Sequence, residues 1–335
     1  MFINTKALLD VLHMLRHGIA PKAIVLQSDC FVFQKNIIYS YNDEIAISHP
    51  FKIEINGAVP AKQLLNFLEK IEEEEIKVTQ KDNFLLVKGG NYRAKIKIIL
   101  EITLPVKQET GHFNALPYDF TTAIKFCLFS CSKDQTKPAL TCIHVHQGRV
   151  ESSDSFRMTI RYLDDDKCFS KPILIPHVAA KSLVTFDVVE YSTSPGWLHF
   201  KTENEVVFSC RTYISMTFPN IQRIIDVEGE QVDLPKKLNN VIKRANALID
   251  NGNFNNPRIS LTIGNGKFIV KSKGNFGYFE ENCSINYKGE SKNIKVHPEY
   301  LAQIIELCNV MEISKNQLRF EGDDGEFVHV FVCFT

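Results

Sequence analysis

The chain has 335 residues, with 39 lysines and arginines balanced by 39 aspartates and glutamates. At roughly 100–200 residues per domain, this length predicts two or three domains, each large enough to bury its own core. Zero net charge argues against a simple basic coat for nucleic acid, and 24 phenylalanines argue against disorder. No stretch approaches the ~20 consecutive apolar residues of a membrane span, and nine scattered cysteines indicate reduced thiols in a cytoplasmic chain.

Apolar residues recur at helical spacing near the start of the chain, and the same pattern returns twice. The three stripes are Leu8, Leu9, Leu12, Leu15 and Ile19, then Phe120, Ile124, Cys127, Leu128 and Cys131, then Leu238, Val241, Ile242, Ala245, Leu248 and Ile249. Each pattern has a single apolar face, which predicts a helix that packs on another element and exposes its other face.

A second helix is predicted a few dozen residues after each of these. It follows Pro60, Pro176 and Pro298, which recur at intervals of about 120 residues. Proline suits the first turn of a helix because its missing N–H would have no intrahelical partner there. Three segments with the alternation of strands follow each of these helices.

The repeating unit is therefore helix, strands, helix, strands. It predicts an α+β protein of three tandem domains, 1–110, 111–228 and 229–335, each with two helices on one face of antiparallel sheet. The boundaries fall near the polar stretches Lys107–Gly111 and Val227–Glu230.

Nothing in the sequence predicts catalysis. The chain has no phosphate-binding loop, dinucleotide fingerprint, zinc-protease motif or hydrolase nucleophile elbow. His13 and His17 have a metal-ligand spacing on a helix, but no third ligand is suggested nearby, so a solvated helix face is the better interpretation. We expect no catalytic residues, no metal and no cofactor.

Four short stretches carry a resemblance to a known family, and they follow one another along the chain in the same order as in that family. Gly57–Lys62 contains a V-P-A-K helix start, and Ile173–Pro176 is similar to V-I-V-P. Ser152–Met158 is similar to A-T-D-G-H-R-L, and Phe218–Ile225 is similar to F-P-D-Y-R-R-V-L. These stretches and the threefold repeat together give the whole chain a resemblance to the bacterial sliding clamp, the β subunit of DNA polymerase III. The sequence leaves open whether this member of the family is cellular or of phage type.

The resemblance implies a ring that encircles duplex DNA without reading its sequence and tethers the replicative polymerase for processivity. In that family two subunits join head to tail, so we expect a homodimer, although the sequence leaves a trimer open. The implied interface residues are Ala94, Ile96, Leu248 and Ile249. The expected DNA-facing residues are Lys236, Lys237, Lys243 and Arg244.

The resemblance also implies an apolar pocket for a short peptide motif of the polymerase and of clamp-loader subunits. Carried over by motif, its residues are Leu140, Ser153, Ser155, Phe156, Arg157, Met158, Pro219, Arg223, Ile224, His329, Phe331, Val332 and Cys333. The aliphatic members and the last strand could equally be ordinary core, and Arg157 and Arg223 could form surface salt bridges.

Two departures from the family pattern leave an alternative function open. Ser155 and Phe156 replace a Gly-His pair, and the last five residues, Phe331–Thr335, replace M-P-M-R-L. The alternative is a clamp-like interaction module that binds client peptides without encircling DNA.

Overall fold

The computed structural model describes residues 1–23, 25–105, 110–165, 169, 171–226, 228–249, 257–275, 277–322 and 324–334. The chain forms two compact units, one of Met1–Lys125 with Ile173–Met216 and the other of Phe126–Pro172 with Thr217–Thr335. Lys107 and Val227, which begin the two predicted domain boundaries, lie outside the described residues. The division into three domains stays a prediction.

The first unit begins with a strand and a helix and contains most of the elements before residue 216. They are β1 (Phe2–Asn4), α1 (Thr5–Leu15), β2 (Cys30–Gln34), β3 (Ile37–Tyr41), β4 (Ile45–Pro50), β5 (Gly57–Pro60), α2 (Ala61–Leu68), β6 (Glu75–Lys81), β7 (Phe84–Gly89), β8 (Tyr92–Lys97), β9 (Asn114–Ala115), α3 (Phe120–Cys127), β13 (Ile173–Pro176), α4 (His177–Leu183), β14 (Val188–Ser194), β15 (Trp197–Thr202) and β16 (Val207–Arg211). The last two residues of α3 belong to the second unit.

Two antiparallel sheets make up the first unit. Their strand orders are β1-β6-β7-β8 and β5-β2-β3-β4-β16-β15-β14-β9. The larger sheet is continuous because β4 pairs with β16, which brings Ile47 opposite Phe208. Helices α1 and α2 pack side by side in this unit.

The second unit has the same kinds of elements. They are β10 (Cys142–His146), β11 (Arg149–Ser153), β12 (Arg157–Tyr162), α5 (Gln222–Ile225), β17 (Glu230–Asp233), α6 (Leu238–Ala247), β18 (Ile259–Gly264), β19 (Lys267–Gly274), β20 (Gly277–Ser284), β21 (Lys292–Val296), α7 (Pro298–Ile304), β22 (Val310–Ile313), β23 (Gln317–Glu321) and β24 (Phe327–Val332).

Its strands also form antiparallel sheet, in the orders β20-β19-β18-β21 and β10-β11-β12-β24-β23-β22-β17. Helices α6 and α7 contact each other. The core between helices and sheets includes Ile242 and Leu301 from the helices with Phe268, Leu318 and Phe331 from the strands. Each fully buried side chain of this kind contributes about 1.5–3 kcal/mol to the stability of the folded chain, so this core fixes the helices on the sheet.

The predicted apolar stripes account for the helices. In α6, Leu238, Val241, Ile242 and Ala245 are all buried, as their spacing predicts. In α1 the buried stripe is Leu8, Val11, Leu12 and Leu15, whereas Leu9 is only half-buried and Ile19 lies beyond the helix. The side-chain oxygen of Asn4 caps α1 by accepting the Ala7 N–H at 2.9 Å.

The prolines mark the second helices, as predicted, although not all stand inside the first turn. Pro60 and Pro176 end strands and cap α2 and α4, whereas Pro298 is the first residue of α7. The predicted α+β class, with helices packed on antiparallel sheet, is confirmed.

Candidate functional site

An apolar cavity of about 370 Å³ opens on the sheet of the second unit that contains β11, β12 and β24. This volume lies within the range of ordinary small-ligand and side-chain pockets. It is lined by Leu140, Ser153, Ser155, Phe156, Arg157, Met158, Pro219, Asn220, Ile221, Ile224, Gln317, Val330, Phe331 and Val332. Ten of these residues were among the thirteen predicted for the peptide pocket, so the structure brings most of that set to one place.

The floor of the cavity follows from the register of three neighbouring strands. Ser153 of β11 lies opposite Met158 of β12, and Met158 lies opposite Val330 of β24. Residues directly opposite each other in antiparallel sheet point to the same face, so these three side chains form one row. Val332 lies two residues after Val330 on β24 and points to the same face, and Gln317 of β23 lies opposite it, so this pair forms the next row.

His329 and Cys333, which the motif comparison placed in the pocket, do not line the cavity. His329 alternates with Val330 and therefore points to the opposite face, where its Nδ1 lies 2.8 Å from Thr159 Oγ1. Burial lowers the pKa of His329 to about 3. Cys333 is buried in the core of the second unit, where burial raises the pKa of its thiol to about 11.

The side chain of Arg223 lies outside the described residues, although its backbone belongs to α5. Four lining residues were not predicted: Asn220, Ile221, Gln317 and Val330. Two of them stand inside the quoted Phe218–Ile225 stretch, and Val330 is two residues from the predicted Val332, on the same face of the last strand.

A tight turn forms one rim of the cavity. The Asp154 carboxylate accepts the N–H groups of Phe156 and Arg157, both at 3.0 Å, and Ser155, between Asp154 and Phe156, has φ +78°. That left-handed conformation is the one glycine adopts most easily, and glycine is what the family pattern has here. The Phe156 ring is 52% exposed at this rim, and Lys137 Nζ donates to Ser155 Oγ at 3.0 Å.

The guanidinium of Arg157 is paired with groups of the protein itself. Its Nε donates to Asp154 Oδ2 at 2.9 Å, and its Nη1 donates to Gln303 Oε1 of α7. The carboxylate neutralises the guanidinium, so the cavity itself is an apolar site with hydroxyl and amide groups along its edge.

The opposite wall is the segment Phe218–Asp226, which we call the wall segment. Pro219, Asn220, Ile221 and Ile224 of this segment line the cavity, and Ile225 is buried beneath it. The Phe218 ring stacks on His144 of β10, with centroids 4.8 Å apart. The cavity therefore lies between a sheet face and an irregular segment.

The four cations predicted to face DNA are all exposed at the start and along one side of α6. Lys243 Nζ lies 3.5 Å from Glu306 Oε1, and Arg244 makes a two-pronged contact with the Glu281 carboxylate at 2.7–3.0 Å. Lys236 and Lys237 form no salt bridge with the described residues.

The residues predicted at the subunit interface lie on edges. Ala94 and Ile96 are half-buried on β8, which pairs only with β7 among the described strands. Leu248 and Ile249 are half-buried just after α6. Arg93, Lys95 and Lys97 are exposed on strand β8. On the edge strand β20 of the second unit, Glu280 is exposed and Glu281 is half-buried.

Within the described ranges, no three histidines, cysteines or acidic residues gather as a metal site would require. His13 lies 3.6 Å from Glu69, and His17 contacts Ser182.

Of the helices in the described part of the chain, none has both the length and the hydropathy of a bilayer span.

No family model matches the sequence. No curated protein matches it either. Solved structures do match, over 100% of this chain and 99% of theirs. They include DNA polymerase III subunit β from Pseudomonas aeruginosa (16% identity, TM-score 0.87) and a putative β subunit from Eubacterium rectale (16%, 0.86). A P. aeruginosa sliding clamp solved with griselimycin bound is another (14%, 0.87). The chain therefore has, over its whole length, the fold of the DNA polymerase III β-subunit sliding clamps.

Proposed function

We propose that this chain is a DNA sliding clamp. It is a non-enzymatic ring that encloses duplex DNA and tethers a replicative polymerase, and it works in the cytoplasm. The observation that carries the proposal is the likeness of the whole chain to DNA polymerase III β subunits at TM-scores of 0.86–0.87. A likeness that spans both chains from end to end supports the three predicted domains, 1–110, 111–228 and 229–335, as the repeating modules of the ring.

Charge complementarity supports closure of the ring by a second copy. The exposed side chains of β8 are basic and those of β20 include Glu280, and both strands are edges of their own sheets. Open edge strands pair readily with another chain, and opposite charges select the partner edge. We therefore propose a homodimer in which β8 of one protomer meets β20 of the other, beside Leu248 and Ile249.

Enclosure changes what the DNA-facing surface has to do. A ring retains DNA by topology, so its lining needs only weak, sequence-independent attraction to phosphates, and base contacts would hinder sliding. Lys236 and Lys237, just before α6, are the predicted cations that fit this role, because Lys243 and Arg244 are already partnered by Glu306 and Glu281.

The apolar cavity supports the tethering part of the proposal. A short peptide of a polymerase or clamp-loader subunit would place apolar side chains on the row formed by Ser153, Met158 and Val330. A P. aeruginosa clamp of the same fold was solved with griselimycin bound, so this fold can hold a ligand.

The second candidate is a module that binds client peptides without enclosing DNA. The pairing of Lys243 and Arg244 with acids favours it, because that pairing leaves α6 with little free positive charge. Both candidates use the cavity, so only assembly and DNA retention separate them.

Sedimentation equilibrium at micromolar concentration tests the assembly. A ring of two protomers predicts twice the chain mass of 38.2 kDa. A species that stays at 38.2 kDa across that concentration range would contradict the clamp and favour the peptide-binding module.

A further inference from the structure

The wall segment cannot hold its own shape. Its helix, α5, has only the four residues Gln222–Ile225. A single helical turn is unstable in water because nucleation fixes several residues for one hydrogen bond. The position of this wall, and with it the width of the apolar cavity, must therefore be set by contacts with the sheet.

Part of that contact is apolar. Ile221 and Ile225 are each 3% exposed, so both are packed beneath the segment. Apolar packing of this kind is non-directional and would allow the segment to shift along the sheet. A directional contact is needed to fix its register.

The directional contact comes from Arg149 on β11. Its Nη1 donates to Gln222 Oε1 at 2.9 Å, linking residues 73 positions apart. The amide nitrogen of the same glutamine donates to both Asp226 carboxylate oxygens, at 3.0 and 3.2 Å. Gln222 therefore joins the sheet to the end of the wall segment.

Arg149 is itself held in place. Its Nε lies 3.3 Å from Oε2 of the buried Glu151, an ion pair without hydrogen-bond geometry, and Glu151 Oε1 lies 2.5 Å from His144 Nδ1. The His144 ring in turn stacks on Phe218, at the other end of the wall segment. We call His144, Arg149 and Glu151 the anchor cluster, since they contact both ends of the wall.

We propose that Arg149 is a positioning residue for peptide binding, which holds the wall segment at the spacing that the cavity requires. The inference rests on the proposed function only in taking a peptide as the occupant of the cavity. Without Arg149, Gln222 loses its link to the sheet and Glu151 loses a cation, so the wall has more than one position. A peptide would then have to select the competent position, which weakens its apparent affinity.

The first test measures hydrogen–deuterium exchange of the wall segment in the peptide-free protein. Arg149→Met removes both contacts of the guanidinium. Gln222→Met removes the bond to Arg149 from the wall side, together with the Gln222–Asp226 hydrogen bonds, while the Arg149–Glu151 pair stays. Both variants are expected to speed exchange of the Ile224 and Asp226 amides about tenfold, whereas Arg149→Lys retains partial protection.

Arg161→Met is the matched control. Arg161 lies on the neighbouring strand β12 and pairs with Glu326 at 2.7 Å, away from the wall segment. It should leave exchange in residues 218–226 unchanged. Wild-type exchange there in both Arg149→Met and Gln222→Met would overturn the proposal.

The second test uses a peptide selected from a random displayed library on the wild-type protein. Fluorescence anisotropy should show about tenfold weaker binding to Arg149→Met and Gln222→Met, and a change of less than twofold for Arg161→Met. Faster exchange with unchanged affinity would overturn the positioning role. If no peptide is selected, peptide binding fails as part of the proposed function, while the exchange result still decides whether Arg149 holds the wall.

Discussion

The guanidinium of Arg157 stacks on the ring of Tyr300, with its central carbon 4.0 Å from the ring centroid. Tyr300 belongs to α7, so this contact ties strand β12, on the rim of the apolar cavity, to that helix. Together with Asp154 and Gln303, Tyr300 accounts for the direction in which the arginine points. The charge of Arg157 is thus already paired with Asp154, and the role of the side chain at the cavity is to hold its rim in place.

Replacing Tyr300 by leucine should lower the free energy of unfolding by about 1 kcal/mol, because a partly desolvated cation–π contact is lost. Urea denaturation measures the change. Tyr118→Leu is the control, since that tyrosine is 88% exposed just before α3, and a surface change of this kind should stay within about 0.5 kcal/mol. Equal losses in the two variants would contradict the assigned role of Tyr300.

Ser155→Gly should stabilise the chain by about 1 kcal/mol, because Ser155 has φ +78° and glycine adopts that conformation without strain. Thermal or urea unfolding measures the gain. Ser153→Gly, two residues earlier in β11, should instead destabilise by a similar amount, since it loses the hydroxyl that donates to the Arg157 carbonyl at 2.9 Å. A loss of stability in Ser155→Gly would argue against the turn described here.

Ile224→Ser should weaken binding of a selected peptide about tenfold, because Ile224 lines the cavity and is 38% exposed there, so a bound peptide would cover its side chain. Anisotropy titration gives the affinity. Leu307→Ser is the control, as Leu307 is 50% exposed in the same unit but outside the cavity lining. Similar losses of affinity in both variants would place the peptide elsewhere.

Charge reversal on one edge strand should weaken the dimer. Lys95→Glu puts a carboxylate on β8, where it would face Glu280 of the partner, so the dissociation constant of the dimer should rise. Adding Glu280→Lys in the same chain should restore association, as measured by sedimentation equilibrium. Lys88→Glu, on the interior strand β7, is the control. Failure of the double variant to recover would argue against β8–β20 pairing.

Acid should destabilise the first unit through His199. This side chain is fully buried between Ser194 Oγ and Ser209 Oγ, each 2.8 Å from a ring nitrogen, and burial lowers its pKa from 6.5 to about 4. Between those pH values the unfolded chain binds more protons than the folded one, so the free energy of unfolding falls as pH falls. The full effect is up to about 3 kcal/mol.

His199→Asn should flatten this part of the pH profile of urea unfolding, whereas replacement of the exposed His112 by glutamine should not. An unchanged slope between pH 6.5 and 4 in His199→Asn would show that other groups dominate acid sensitivity.

The sequence pattern predicted the helices well, because the spacing of apolar residues within one segment is enough to identify an amphipathic helix. Leu238, Val241, Ile242 and Ala245 face the core for that reason. The pairing of β4 with β16 could not be predicted, since it joins residues about 160 positions apart and depends on which sheet edges meet. The same holds for β12 with β24, which forms the floor of the cavity.

The cavity was predicted where a motif spans consecutive residues, as from Ser155 to Met158. It was predicted less well along the last strand, because a motif does not say which alternate residues face outward. His329 and Val330 are neighbours in sequence, yet only Val330 lines the cavity. The link from the anchor cluster to the wall segment was also not predicted, because Arg149 and Gln222 are 73 positions apart and meet only through the tertiary fold.

The central claim is enclosure of DNA, and topology tests it without a loading enzyme. The protein is first mixed with linear duplex at low salt, the DNA is closed by ligation, and the salt is then raised to remove phosphate contacts. A clamp predicts that labelled protein stays with the circle in gel filtration and is released when a restriction enzyme cuts it. Release from the circle and the linear form at the same salt concentration would contradict the account.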